Sequence, residues 1–267
     1  MNKLLKILNL YKVFNKNTIN ENVLFDGLNF TINDGDFITV IGSNGAGKST
    51  LLNIISGSIE EDEGSVRLNE KELSGTPEYK RSRHIGRVFQ DTSKGVALDM
   101  TILENLSMAY NKGKSFNLRL GISKKNLDIF KKLLTELNLG LENKLDTKVK
   151  LLSGGQRQAL CLVMAVMGRP ELLLLDEHTA ALDPKTSEKI IEITKKIVSE
   201  NNMTTMMVTH NLNHAVTLGN RLIMMHGGNI VLDIAEEEKK KLTVNKLLEQ
   251  FDRVQGRDCL SDRILFS

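Results

Sequence analysis

Short apolar runs alternate along this chain with longer stretches in which leucines recur every three or four positions, the signature of strands interleaved with helices. That alternation implies a parallel sheet covered by helices. The clearest strand is Phe37 to Ile41, followed at once by a glycine-rich turn and a helix predicted from Lys48 to Ile55. Further strands are predicted at Arg83 to Phe89, Leu172 to Asp176, Thr204 to Thr209 and Arg221 to Met225. Unbroken hydrophobicity from Leu172 to Leu175 predicts burial on both faces of the sheet. Met1 to Leu10 reads as a first strand, because Lys3 and Lys6 interrupt any leader-like apolar run and no small-residue cleavage site follows.

Between about Thr92 and Arg169 the period becomes helical, with Leu127, Leu133, Leu134 and Leu137 set among lysines, and a helical lobe is expected there. Gly113 to Gly121 reads as a loop within it. Near the end, Glu236 to Glu238 precede Lys239 to Lys241, and these charges are predicted to pair at i,i+3 spacing on a solvated face. No apolar stretch approaches the roughly 18 residues of a membrane-crossing helix, so the chain is not expected to span a bilayer.

Composition narrows the picture without choosing a function. A chain of 267 residues with 40% apolar and 26% charged positions can bury a sizeable core, in one large lobe or two packed ones, and disorder is not expected. Against 33 acidic residues stand 36 basic ones, and a net charge of +3 is too weak to mark a nucleic-acid partner. Cys161 and Cys259 have no Cys/His cluster around them, which fits a reducing cytosol and no structural zinc. Cys161, in the apolar stretch Leu160 to Met167, reads as a small buried hydrophobe without chemical duty.

The chemistry begins at Gly42-Ser43-Asn44-Gly45-Ala46-Gly47-Lys48-Ser49, a full match to G-x-x-x-x-G-K-[ST] between a predicted strand and a predicted helix. Glycines let successive N–H groups curl around phosphates, Lys48 reaches the β and γ phosphates, Ser49 can hold Mg²⁺, and Thr50 adds a hydroxyl near the α phosphate. The alternative, a glycine-rich turn with a chance lysine, does not account for the strand and helix on either side. Leu172 to Leu175 lead into Asp176-Glu177, a carboxylate pair at a strand end, where ligands collect in α/β sheets. Asp176 would serve the Mg²⁺ shell and Glu177 would polarise the water that attacks the γ phosphate, unless the pair is only a solvated turn or helix cap. Leu152-Ser153-Gly154-Gly155-Gln156 carries S-x-x-Q spacing, so it can cap the helix that runs to Met167 and also offer a serine, two glycines and a helix N-terminus to an anion.

Leu152 to Gln156 resembles the signature motif of the ATP-binding-cassette (ABC) ATPases, and other elements of that family follow in order. Gly42 to Thr50 resembles the Walker A loop, Gln90 the Q-loop glutamine that also faces the metal, Asp176 and Glu177 the Walker B pair, Ala181-Leu182-Asp183 the D-loop, and His210 the switch histidine. The resemblance implies an α/β P-loop NTPase cassette with a RecA-like core, an antiparallel β subdomain and a helical signature subdomain. Along the chain it divides into residues 1–91 and 170–235 for the core, 92–169 for the helical signature subdomain and 236–267 for a short C-terminal extension. Phe14, in the Tyr-Lys-Val-Phe segment, is the candidate for stacking on adenine, with Tyr11 its competitor and a buried strand aromatic the alternative for either. His178 departs from the commonest pattern, which has proline after the catalytic glutamate, and reads as completing the turn rather than acting as a second base.

What the resemblance implies about assembly is specific. Two cassettes, as a homodimer, would pair head to tail, each ATP lying between one subunit's Walker A loop and the other's Ser153, Gly154, Gly155 and Gln156. The chain would sit at the cytoplasmic face of a membrane, peripheral through an integral-membrane permease touched by the region Gln90 to Asn105, with an extracytoplasmic solute-binding protein in the same system and no nucleic acid. Asp176-Glu177-His178-Thr179-Ala180-Ala181-Leu182-Asp183-Pro184 is similar to a branch of bacterial importers associated with tryptophan/tyrosine-type amino-acid uptake. An exporter motor and a soluble ABC ATPase of translation or DNA maintenance are the competing readings, and no second cassette, heptad insertion or basic face favours the soluble one.

Overall fold

A computed structural model describes residues 2–114 and 124–255. The part of the Gly113 to Gly121 loop beyond residue 114, and Cys259, lie outside the described residues. In chain order the elements are β1 (Lys3–Phe14), β2 (Asn22–Asn33), β3 (Phe37–Gly42), α1 (Lys48–Ser56), β4 (Glu63–Leu68), β5 (Lys71–Glu72), α2 (Glu78–Arg81) and β6 (Ile85–Val88). Then come α3 (Ile102–Asn111), α4 (Lys124–Glu136), α5 (Gly154–Met167), β7 (Leu172–Asp176) and α6 (Pro184–Glu200). The chain closes with β8 (Thr204–Val208), α7 (Leu212–Thr217), β9 (Arg221–His226), β10 (Asn229–Ala235), α8 (Glu236–Lys240) and α9 (Val244–Gln255).

Two compact units are formed, Met1–Arg81 together with Thr204–Ser267, and Ser82–Met203. In the first unit β2, β1, β4 and β5 make an antiparallel sheet, while β10, β9, β3 and β8 lie side by side in a second sheet. There β3 pairs in parallel with both β8 and β9, and β10 turns back antiparallel on β9. The strand β3 is buried along almost its whole length, which is why its sequence shows no polar alternation. Ile41, Leu212, Leu222, Met224, Ile234, Leu247 and Phe251 form one apolar cluster that binds α7 and the C-terminal α9 to the β9–β10 layer. Burying each such side chain contributes about 1.5–3 kcal/mol.

In the second unit β6 and β7 pair in parallel, Val88 opposite Leu175. The predicted strand at Arg83 to Phe89 is shorter than expected, Ile85–Val88; just before it the His84 carbonyl accepts from the amides of Glu171 and Leu172 and its Nδ1 lies 2.6 Å from Glu171 Oε1. The helical stretch holds α3, α4 and α5, with Phe130, Leu134, Leu137, Leu160 and Val163 at the centre of a common core and Leu127 and Leu133 at its margin. Leu172 to Leu175 are fully buried, as their unbroken hydrophobicity predicts.

One expectation is overturned. Lys239 does not join a solvated charged face: it is buried, and its Nζ donates to Thr39 Oγ1 at 2.9 Å, to the Arg221 carbonyl at 3.0 Å and to the Leu218 carbonyl. Glu237 and Lys240 do form the i,i+3 pair, at 2.6 Å and in solvent. A helix has two faces, and a run of like residues must put some of them on the inner one.

Candidate functional site

In the first unit the loop from Gly42 to Gly47 leaves the carboxyl end of β3 and enters α1. Its backbone is possible only for glycine at two points. At Gly42 (φ 150°) a Cβ would meet the Met225 carbonyl oxygen at 2.2 Å, and at Gly47 (φ 99°) it would meet the Phe25 ring at 2.8 Å. The Gly228 N–H donates to the Ala46 carbonyl at 3.2 Å, so the β9–β10 turn braces the loop from outside. No side chain caps α1, and no carboxylate sits in its first turn, so no acidic side chain there offsets the positive helix end, which suits it to an anion. Lys48 is buried, its ammonium donating to the carbonyls of Gly42 at 2.8 Å and Ser43 at 2.9 Å. Ser43, Asn44, Gly45, Ser49 and Thr50 complete the loop and the helix start, with Asn44, Gly45 and Ser49 open to solvent.

His210 comes to the same sheet edge. Val208 pairs with Val40, the Thr209 N–H donates to the Val40 carbonyl at 3.1 Å, and His210 follows just before Asn211, which caps α7. Phe14 ends β1 in the antiparallel sheet, half-buried, with the Lys12 ammonium 5.6 Å from its ring centre.

In the second unit Asp176 ends β7, nearly buried, with the Arg87 guanidinium 3.5 Å from its carboxylate. Glu177 follows in left-handed backbone (φ 44°), a conformation that costs a residue with a Cβ on the order of 1–3 kcal/mol. The parallel register of β6 and β7 carries Gln90, two residues beyond Val88, out at the same strand ends. Ser153 caps α5 through a complete capping box: the Gln156 N–H donates to Ser153 Oγ and the Ser153 N–H to Gln156 Oε1, both at 3.3 Å. Ser153 and Gly154 remain exposed. Gly155 is buried, and a Cβ there would meet Thr186 Cγ2 at 2.3 Å, so this glycine lets α6 approach the signature helix. Asp183 caps α6, and its hydrogen bonds with Thr186 hold its carboxyl below the usual carboxylate range.

A cavity of about 330 Å³ lies between these segments of the second unit, lined by Gln90, Thr92, Gly154, Gln158, His178 and Leu182. Gly42 to Thr50, Phe14 and His210 thus belong to the first unit, and Gln90, Ser153 to Gln156, Asp176, Glu177 and Asp183 to the second. Sequence reasoning missed Arg87, which faces Asp176, Gln158, which lines the cavity, and Thr194, whose Oγ1 lies 3.1 Å from Nε2 of the cavity-lining His178. Arg87 and Gln158 had a legible neighbour, one three residues before Gln90 and the other two after Gln156. Thr194 had none. Cys161 is the buried hydrophobe expected, its thiol pushed up to about 12 by burial and so held protonated.

Among the described residues no three His, Cys, Asp or Glu side chains gather as a metal cage. Ser49 in the first unit offers a hydroxyl and Asp176 in the second a carboxylate, each a hard oxygen donor of the kind Mg²⁺ takes alongside substrate phosphates, so each residue by itself fits that ion. Among the described residues no helix is long and apolar enough to cross a membrane.

The sequence profile of the family described as ABC transporter matches residues 25–180. A tyrosine transport ATP-binding protein of Clostridioides difficile (strain R20291) is 51% identical over 249 residues, 93% of this chain and 99% of that protein. A phosphonates import ATP-binding protein of Ruegeria sp. (strain TM1040) is 36% identical, covering 86% of this chain and 88% of its own length. A spermidine/putrescine import ATP-binding protein of Haemophilus influenzae is 33% identical, and the chain spans 60% of it. Among solved structures, the dimeric post-hydrolysis state of the ATP-binding cassette MJ0796 bound to ADP and Pi superposes with a TM-score of 0.74 at 29% identity, over 87% of this chain and 98% of that one. With its phosphate loop, signature helix and strand-end carboxylates in place, the chain belongs to the ABC transporter family, as an ATP-binding and hydrolysing cassette.

Proposed function

We propose that this cassette powers an importer of amino acids, with an aromatic amino acid as the solute class. The observation that carries the reading is the 51% identity, over almost the whole of both chains, to a tyrosine transport ATP-binding protein. The string Asp176 to Pro184 supports the same branch, and the phosphonate and polyamine relatives carry import in their names.

In this reading Lys48 and the amides of Gly42 to Thr50 hold the phosphates of ATP, and Phe14 stacks on adenine. Glu177 accepts a proton from water as the water oxygen bonds to the γ phosphorus; the bond from that phosphorus to the β–γ bridging oxygen breaks, and ADP and phosphate leave. Gln90 and His210 orient the water and the γ phosphate. Ser49, Gln90 and Asp176 would hold Mg²⁺, whose charge neutralises the phosphate oxygens when it is bound. The exposed Ser153 and Gly154, with Gly155, Gln156 and Asp183, serve the ATP of a second copy of the chain in a head-to-tail homodimer. Support for the dimer comes from the dimeric MJ0796 cassette. An integral-membrane permease, an extracytoplasmic solute-binding protein and a place on the cytoplasmic face complete the machine.

Affinity purification of the chain from detergent-solubilised membranes, with mass spectrometry of what is retained, tests the assembly. Recovery of a multi-span permease with a solute-binding protein is expected. A permease alone favours an exporter, and soluble partners alone overturn the transporter reading.

A further inference from the structure

The chain leaves β7 and turns twice within six residues: the Ala180 N–H donates to the Glu177 carbonyl at 3.0 Å and the Leu182 N–H to the Thr179 carbonyl at 3.2 Å. Glu177 stands at the head of these turns in left-handed backbone, which non-glycine residues keep only under constraint. The next side chain, His178, is 2% exposed, and its Nε2 lies 3.1 Å from Oγ1 of Thr194, itself 1% exposed, in the middle of α6. The Thr194 hydroxyl has one proton, and it donates that proton to the Ile190 carbonyl at 2.8 Å. Thr194 therefore accepts from His178, and the histidine carries its proton on Nε2. A buried hydrogen bond of fixed direction thus pins the residue beside Glu177 to a helix that begins at Pro184, capped by Asp183.

We propose that His178 is a positioning residue for ATP hydrolysis, its Nε2–H···Oγ1 bond to Thr194 holding the Glu177 carboxylate where it can accept the proton of the attacking water. His178 does not touch the reacting atoms or exchange a proton with them. The inference rests on the reading of Glu177 as the base. A proline at this position would stiffen the turn through its own ring; histidine reaches the same end through a distant partner, and so makes the geometry of Glu177 depend on α6.

The test uses the full chain. His178→Leu keeps bulk and removes the donor, Thr194→Val keeps shape and removes the acceptor, and His178→Gln keeps an amide donor at comparable reach. His178→Leu and Thr194→Val are each expected to lower kcat for ATP at least tenfold with KM within twofold of the parent. The double variant is expected to be no slower than the slower single one, and His178→Gln to recover most of the turnover. Imidazole ¹⁵N spectra, with the His178 signal assigned by its loss in His178→Gln, are expected to show the proton on Nε2. Parental kcat in either Leu or Val variant, losses that multiply in the double variant, or a proton on Nδ1 overturns the inference. Should His178→Leu fail to fold, the near-isosteric Thr194→Val and the spectrum decide alone. Glu177→Gln separates the two levels: parental turnover there removes the base itself, whereas an inactive Glu177→Gln beside a parental Thr194→Val removes only the anchor.

Discussion

Lys48 is buried against the carbonyls of its own loop, so its charge is already desolvated and aimed before any phosphate arrives. A hydrogen bond to a charged group is worth about 1.5–3 kcal/mol, so Lys48→Ala is expected to weaken ATP binding by roughly 10- to 100-fold, read by titration calorimetry. Glu177→Gln keeps the side-chain volume and removes the proton acceptor. It is expected to bind ATP, to hydrolyse it about 10²- to 10⁴-fold more slowly, and to accumulate an ATP-dependent dimer in gel filtration. Lys239 makes a prediction of a different kind. Burial pushes its ammonium down to about 7, while in the unfolded chain it titrates near 10.4. Between these values the unfolded state binds the extra proton, so this group adds stability as pH rises from about 7 to about 10, with a slope of at most about 1.4 kcal/mol per pH unit. Urea unfolding at pH 7 and pH 9 is expected to show that slope in the parent and its loss in Lys239→Met. Lys48 and Glu177 were legible because their motifs are local in sequence. Lys239 was not, since its partners Thr39, Leu218 and Arg221 are remote along the chain.

Among the elements, α5 combines two demands in one turn. Ser153 and Gln156 satisfy the helix start, and Gly155 gives room to Thr186 of α6. Gly155→Ala gains up to about 1 kcal/mol of helix propensity and meets an overpacking cost of about 1–3 kcal/mol against a stiff, branched side chain. Net destabilisation is therefore expected, a fall in Tm of roughly 2–4 °C per kcal/mol for a chain of this size. Adding Thr186→Ser, which removes the clashing methyl, is expected to restore the melting point. The capping box could be read from S-x-x-Q alone, but the close approach of α6 depends on tertiary packing. The same division runs through the strands. Continuous hydrophobic runs disclosed β3, β7 and β8, whereas β2 and β4, half-exposed in the antiparallel sheet, carry alternating and interrupted patterns that no single window resolves.

For the whole molecule, the proposed head-to-tail homodimer would set the exposed Ser153 and Gly154 against the ATP of a second copy. Specific ATPase activity of the purified chain is accordingly expected to rise with protein concentration and to level off once dimers predominate; a rate per subunit that is constant across that range removes the head-to-tail arrangement. The sequence by itself determined the α/β class and placed the glycine-rich loop between a strand and a helix, Ser153 at a helix start and the Asp176-Glu177 pair at a strand end, because each is a local run with its own spacing. Only the tertiary structure decided that His178 meets Thr194, that Arg87 faces Asp176, that Gly155 admits Thr186 and that Lys239 is buried. Those pairings depend on the register between elements far apart in the chain, and register is set by how side chains fill space, which no local pattern encodes.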